Sequence, residues 1–380
     1  MSIPVPDAQR MPMNEQTTLI AARIRSLRMA QHISQQAFAS AMGLESRRSV
    51  AAIESAARGV TPEELARAAE LLGVELDALR DPFRLVGEGR FSFRVQAITA
   101  AELSQFEDRA GRWVATYREC ARPLAETGPS GGAKRRIFSA WEGEDVEVAC
   151  RKLWMAWDLG PAPAERLGQA IEQHVGALIL NVDGPEGLSS GVCYLRDHHT
   201  IFLNRGAAPE RRALDIARAL FRLLAWEELP PGRIERDVPP RGRVSRGRQL
   251  ADSFAAALVM PSLLMQARWA ARLREDLGTW MLRTSGHLQV SVPALGARLL
   301  ELGLVQDGQL VSTLAHGAQQ QHRAEPRMLF SRMFIAPIAD AVNSRRLLVR
   351  RAAGILELSP LAFAELCRAY GCPLRDGLPP

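Results

Sequence analysis

A mainly helical fold with one small α+β part is what this sequence predicts, and three observations carry that expectation. Most of the 380 residues fall into apolar patterns with the 3.6-residue period of amphipathic helices. Three short β-type runs, "GALILNV", "GVCYL" and "HTIFLN", cluster in mid-chain between helical stretches. The composition, 47% hydrophobic and 24% charged, sustains packed cores and excludes global disorder. A chain of this length divides into two or three domains.

The formal net charge is +6, and nearly all of the basic charge is arginine. That favours an anionic partner such as nucleic acid. Cys120, Cys150, Cys193, Cys367 and Cys372 are odd in number and scattered without a CxxC pair. Neither a disulfide framework nor a zinc ribbon fits, and a reducing compartment does. With no apolar leader and no run of eighteen apolar residues, the expected location is the cytoplasm.

Residues 1–16 read as a disordered Pro- and Met-rich start, 17–82 as a five-helix domain, and 83–140 as a helical connector ending in a Gly/Pro-rich linker. The mixed helix-strand part spans 141–305, and 306–380 reads as a helical C-terminal region. Its "RRLLVRRAAGILELSPLAFAELCRAYG" gives two amphipathic helices, with Ser359 as N-cap.

Within the first domain, Ile20, Ile24 and Leu27 share one helix face. Ser34 caps a second helix, "QQAFASAMGL", which Gly43 ends. A third helix follows in "ESRRSVAAIESA", with Val50 and Ile53 expected in the core. Thr61, Pro62 and Glu64 form a capping-box start for a fourth, and "ELDALR" is a short fifth. Two helices joined by a tight glycine turn, the second rich in small polar and basic residues, make a helix-turn-helix. The second helix of that motif lies in the DNA major groove with its N-terminal end toward base edges. Here that end carries Ser46, Arg47, Arg48 and Ser49. Arginine reads guanine bidentately and serine reaches a base or a phosphate. Gln35 and Gln36 open the preceding helix, where they can meet a phosphate. The other use for such a module is dimerisation or peptide binding.

The order "SQQAFASAMGL", "VAAIES", "TPEELARAAELLGVELDAL" resembles the XRE, or lambda-repressor/Cro-like, DNA-binding family. The resemblance implies double-stranded operator DNA and a homodimer as partners. It departs from the family at Ala56, where a glycine is usual, so this turn is expected to be reshaped.

The middle of the chain resembles the ImmA/IrrE-type metallopeptidase-like module. "IFLN" matches its strand before the metal helix, "ERRALDIARALFRLL" its metal helix, and "RQLADSFAAALVMP" its third-ligand helix. "HLQVSVPALGARLLELGLV" matches the segment that follows. The resemblance implies a zincin-like α+β fold. The family's HExxH helix supplies two metal-binding histidines and a glutamate base. In this chain the first histidine position holds Arg218, the glutamate Ala219, the second histidine Arg222, and the third-ligand carboxylate Arg248. Guanidinium has no lone pair for a metal, and alanine is no general base. The expectation is therefore a degenerate domain that is not an enzyme, with no metal and no cofactor.

Arg218 and Arg222 lie four residues apart on one helix face, where like charges repel by a few tenths of a kcal/mol. One reading gathers Arg218, Arg222 and Arg248 into an anion pocket, since arginine forks suit phosphate and carboxylate. The other is an ordinary polar stripe of Arg211, Asp215, Arg218 and Arg222, solvated or internally paired. The arginine-rich loop Gly232 to Arg248 could equally touch DNA phosphate.

Other signals carry less. "GLSSG" fits the nucleophile-elbow pattern, but without a preceding strand and following helix it reads as a hairpin turn. His198 and His199 are adjacent, and neighbours on a strand point to opposite faces. His316 and His322 lack a helical ligand spacing. The expected function is a DNA-binding transcriptional regulator whose peptidase-like domain senses a small anionic effector or docks a protein partner. The alternatives are an antitoxin-type protein repressing its own operon, and a zinc metallopeptidase that cleaves a repressor.

Overall fold

The computed structural model describes residues 13–127, 145–195, 198–236, 245–306 and 327–375. The readings made for 1–12, for the linker at 128–144, for 237–244 of the arginine-rich loop, and for 307–326 with His316 and His322 lie outside these residues. The described residues are mostly helical with a small five-stranded sheet. No single described helix is long and apolar enough to cross a membrane. Two compact units divide the chain. The first takes in Met1–Arg90, Ser104–Pro129 and Arg332–Pro380, the second Phe91–Leu103 and Ser130–Ser331.

In the first unit, α1 (Met13–Ala30), α2 (Gln35–Met42), α3 (Arg47–Glu54), α4 (Pro62–Leu72) and α5 (Leu76–Arg80) close around Ile24, Phe38, Val50, Ile53, Ala68, Leu72 and Leu79. Local chemistry sets their ends. The Ser34 hydroxyl accepts from the Ala37 amide, and left-handed Gly43 closes α2. Thr61 and Glu64 form the reciprocal capping box of α4, with Pro62 in its first turn. Helix α1 begins at Met13, so the disordered start read for 1–16 is corrected for 13–16.

Arg23 is fully buried inside this unit. Its guanidinium donates to the carbonyls of Ala78 (2.8 Å), Asp81 (2.9 Å) and Arg84, and to Glu88 (3.3 Å), which spreads the buried charge over four acceptors. The helix Ala100–Thr127 (α6) and three C-terminal helices, Arg332–Asn343, Val349–Ile355 and Pro360–Ala369, belong to the same unit. Arg351 reaches Asp81 at 3.0 Å and lies 4.5 Å over the Phe83 ring; Arg109 pairs with Glu357 at 3.1 Å. The C-terminal region, read as separate, thus packs with the N-terminal helices.

The second unit is built on a sheet of β1 (Arg90–Val95), β2 (Leu178–Val182), β3 (Leu188–Tyr194), β4 (His199–Asn204) and β5 (Ile234–Arg236), in the order β2-β4-β3-β1-β5. β4 pairs parallel with β2 and antiparallel with β3, and β1 pairs parallel with β5. Around it lie α7 (Val146–Ala156), α8 (Pro163–His174), α9 (Pro209–Leu224), α10 (Arg246–Val259), α11 (Ser262–Ala270), α12 (Leu277–Leu288) and α13 (Val292–Glu301). The core joins Leu167, Ile171, Val192, Ile201, Leu220, Phe254, Leu258, Trp280 and Leu295.

Two strands correct the sequence reading. The connector, read as helical through 83–140, contains β1, whose "RFSFRV" alternates apolar and polar residues with the period of two that marks a strand. The loop read from Gly232 contains β5, held to β1 by Phe93 N–H donating to Arg233 (2.9 Å) and Ser92 Oγ donating to Gly232 (2.8 Å).

"GLSSG" is not a hairpin turn either, since Leu188 to Gly191 lie in β3. Gly187 precedes it at φ +84, where a Cβ would stand 2.0 Å from the Ala97 carbonyl oxygen. At Gly191 a Cβ would stand 2.6 Å from the Phe93 ring. The middle serine, Ser189, donates to the Arg94 carbonyl at 3.1 Å. Backbone approach and packing account for the whole pattern.

Candidate functional site

Two places in the chain bring sequence-identified residues into an arrangement with chemical meaning. The first is the N-terminal end of α3. Val50, Ile53 and Glu54 are buried, which turns Arg48 outward, with Arg47 and Ser49 flanking it. Arg47, Arg48 and Gln36 are exposed; Ser46 and Ser49 are half-buried. Neither arginine has a hydrogen-bond or ion-pair partner among the described residues. Ser46 sits at the N-cap of α3, yet its side chain makes no capping hydrogen bond, unlike Ser34 on α2. These groups form an outward set of donors with uncommitted side chains.

Gln35 does not join them. Its Nε2 donates to Glu54 at 2.9 Å, and Glu54 receives both Nε (2.5 Å) and Nη2 (3.0 Å) of Arg28. The Gln35 side chain, expected at a phosphate, is thus committed through its Nε2 to an internal acceptor. Its side chain helps tie α1, α2 and α3 through one buried carboxylate, a bidentate pair that fixes how α3 is presented. Sequence reading missed this clamp because its three members lie on different helices.

Nor is the turn after α3 reshaped at Ala56. Alanine itself adopts the left-handed conformation, φ +57, that glycine would take without strain. The Ala57 amide donates back to Ala52 at 2.9 Å, as in an ordinary left-handed helix ending.

The second place is the face shared by α9, α10 and β1. Arg218 lies between Asp252 (Nε to Oδ1, 2.6 Å) and Asp215 (Nη1 to Oδ1, 3.2 Å). Arg248 stands 3.8 Å from Asp252 and donates to the Arg236 carbonyl at 2.5 Å. Arg222 is 4% exposed and pairs with Glu235 of β5. Burial lowers its pKa, opposed by the nearby Glu235 carboxylate; guanidinium nonetheless stays protonated.

Arg94 of β1 adds a fourth cation, 3.8 Å from Asp215 and 3.9 Å from Asp252. So Arg218, Arg222 and Arg248 do gather around one set of carboxylates. They are held by internal pairs, and the stripe read as an ordinary polar face is buried at Asp215 and Arg222. Repulsion between Arg218 and Arg222 is offset by acids from other elements.

Beside this network lies a cleft of about 290 Å³, lined by Arg94, Gln96, Arg211, Leu214, Arg218 and Ser291, with Glu210, Asp215 and Ala294 completing it. Of the three arginines read as a pocket, Arg218 faces this cleft; Arg222 and Arg248 do not line it. Arg94 and Arg211 do. Arg94 was missed because its strand was read as helix.

The remaining candidates are absorbed by packing. The His199 ring stacks on Tyr194 (4.6 Å), which stacks on Trp226 (5.0 Å). Cys120, Cys150, Cys193 and Cys367 are buried thiols, and burial pushes Cys120 and Cys367 up to about 12, far from nucleophilic range.

Comparison with curated proteins and with solved structures gave no match. A family model did match, and it covers the five-helix part alone. Residues 24–79 fit the model described as Helix-turn-helix, so the chain carries a helix-turn-helix domain of the DNA-binding regulator type over α1 to α5.

Proposed function

We propose that this protein is a sequence-specific transcriptional regulator that binds operator DNA as a homodimer through α3. Its second unit serves as a catalytically inactive, peptidase-like sensor. The observation that carries the first half is the outward, partnerless pair Arg47 and Arg48 at the N-terminal end of a helix in a matched helix-turn-helix domain. That end enters the major groove in this motif, where each arginine can bracket a guanine. Dimerisation supplies two half-sites and so a useful affinity. The support for inactivity is chemical. Arg218, Ala219, Arg222 and Arg248 stand where the resembled peptidases carry ligands and base, and none of these side chains can serve. An effector bound in the second unit would act by preferring one of two states of the dimer.

The test is selection of binding sequences from a random duplex library with the full chain, followed by the Arg47→Ala/Arg48→Ala variant. Two lost bidentate contacts predict at least roughly 30-fold weaker binding to the selected site. Unchanged affinity would remove α3 as the reader. Elemental mass spectrometry of the untagged protein tests the second half: one tightly held zinc per chain would overturn it.

A further inference from the structure

The cleft beside α9 has more to recommend it than its volume. Three guanidiniums line it, from Arg94 on β1 and from Arg211 and Arg218 on α9. The exposed Arg211 side chain has no ion-pair or hydrogen-bond partner among the described residues. Farther along the same helix and outside the lining, Arg222 keeps two buried donors, Nε and Nη1, without an acceptor among the described residues. The lining sets these three guanidiniums against two carboxylates, Glu210 and Asp215, while Arg222 and Arg248 pair with Glu235 and Asp252 outside it. The first turn of α13 adds to it, since Ser291 and Ala294 line the cleft and a helix N-terminus carries positive potential. Leu214 and Ala294 supply an apolar wall for a carbon skeleton.

We propose that this cleft binds a small molecule through a phosphate group, held by Arg94, Arg211 and Arg218. The inference deepens the sensor reading of the second unit and rests on it. Phosphate fits for three reasons. It accepts several forked donors at once, its negative charge meets a lining of three arginines against two carboxylates, and a phosphate with a short organic part matches the space. Asp215 and Asp252 have a positioning role, holding Arg218 and Arg94 at the cleft.

The experiment is calorimetric titration of the full chain with inorganic phosphate and pyrophosphate at constant ionic strength, with chloride and acetate as controls. Saturable binding of phosphate and pyrophosphate, absent for the controls, is expected. Arg211→Ala should weaken it at least tenfold. Because Arg211 is exposed and partnerless, that variant keeps the fold, which its unfolding temperature checks. A second variant, Ala294→Glu, fills the cleft with a carboxylate and should abolish binding. No binding above the controls, or unchanged binding in Arg211→Ala, overturns the proposal. Operator affinity with and without phosphate separates the two readings. Binding that leaves DNA affinity unmoved keeps the anion site and removes the sensor. Failure of phosphate to bind removes the site and leaves the DNA reader intact.

Discussion

Two pairs of arginines on two helices meet opposite fates. Arg47 and Arg48 on α3 stand in solvent with no partner among the described residues, whereas Arg218 and Arg222 on α9 are held by Asp215, Asp252 and Glu235. In sequence both pairs are cations on an amphipathic helix. The difference lies in which face each helix turns to its core. Val50, Ile53 and Glu54 anchor α3 on the side away from Arg48. On α9, packing against β3, β4 and α10 carries Arg222 inward as well, so an acid must travel with it. A helical cation marks an outside ligand only where the fold leaves it without an inside one.

Each unit also contains a buried ion pair, and the two can be set against each other. Glu54→Ala strands Arg28 in the first unit, and Glu235→Ala strands Arg222 in the second. Breaking one side of a buried pair costs about 3–5 kcal/mol, so both variants should unfold at clearly lower denaturant concentration. The double change Arg222→Met/Glu235→Leu removes both charges and should restore most of the loss. Glu54→Ala should additionally weaken DNA binding, because Glu54 also holds Gln35 beside α3. Equal DNA affinity in both single variants would break the distinction between a reading unit and a sensing unit.

A smaller effect sharpens the picture of the α3 ending. Ala56 holds a left-handed conformation that costs an L-residue about 1–2 kcal/mol, part of which glycine returns through its unfolded-state entropy. Ala56→Gly should therefore raise stability by about 0.5–1 kcal/mol, seen as a higher denaturation midpoint with an unchanged slope. A loss of stability would mean that the alanine methyl packs better than its conformation costs.

The smallest expected effect concerns acid. The hydrogen bond from Arg58 holds the Glu64 carboxyl below its usual range, helped by the Thr61 amide and opposed by burial. A depressed folded pKa gives stability that is present above the unfolded value and lost as pH falls through the folded one. The pair is partly exposed, so its share is roughly half a kcal/mol. Glu64→Gln should flatten the acid limb of a stability-versus-pH curve by that amount, while leaving the Arg28–Glu54 clamp untouched.

What the sequence by itself determined is what neighbouring residues decide among themselves. Ser34, Thr61 with Glu64, Asp276, Ser291 and Ser359 cap their helices through hydrogen bonds three residues away, so those starts depend on local chemistry. The β2, β3 and β4 runs, the five helices and the outward set on α3 follow from periodicity in the same way. Tertiary structure alone decided the rest. Asp252 comes to Arg218 from the next helix, Glu235 to Arg222 from an intervening strand, and Arg94 to both aspartates from a strand far earlier in the chain. The clamp of Arg28, Gln35 and Glu54 likewise joins three helices. No local pattern encodes such partners, because charge pairing acts through space, and the chain reaches that space only after its apolar faces have packed.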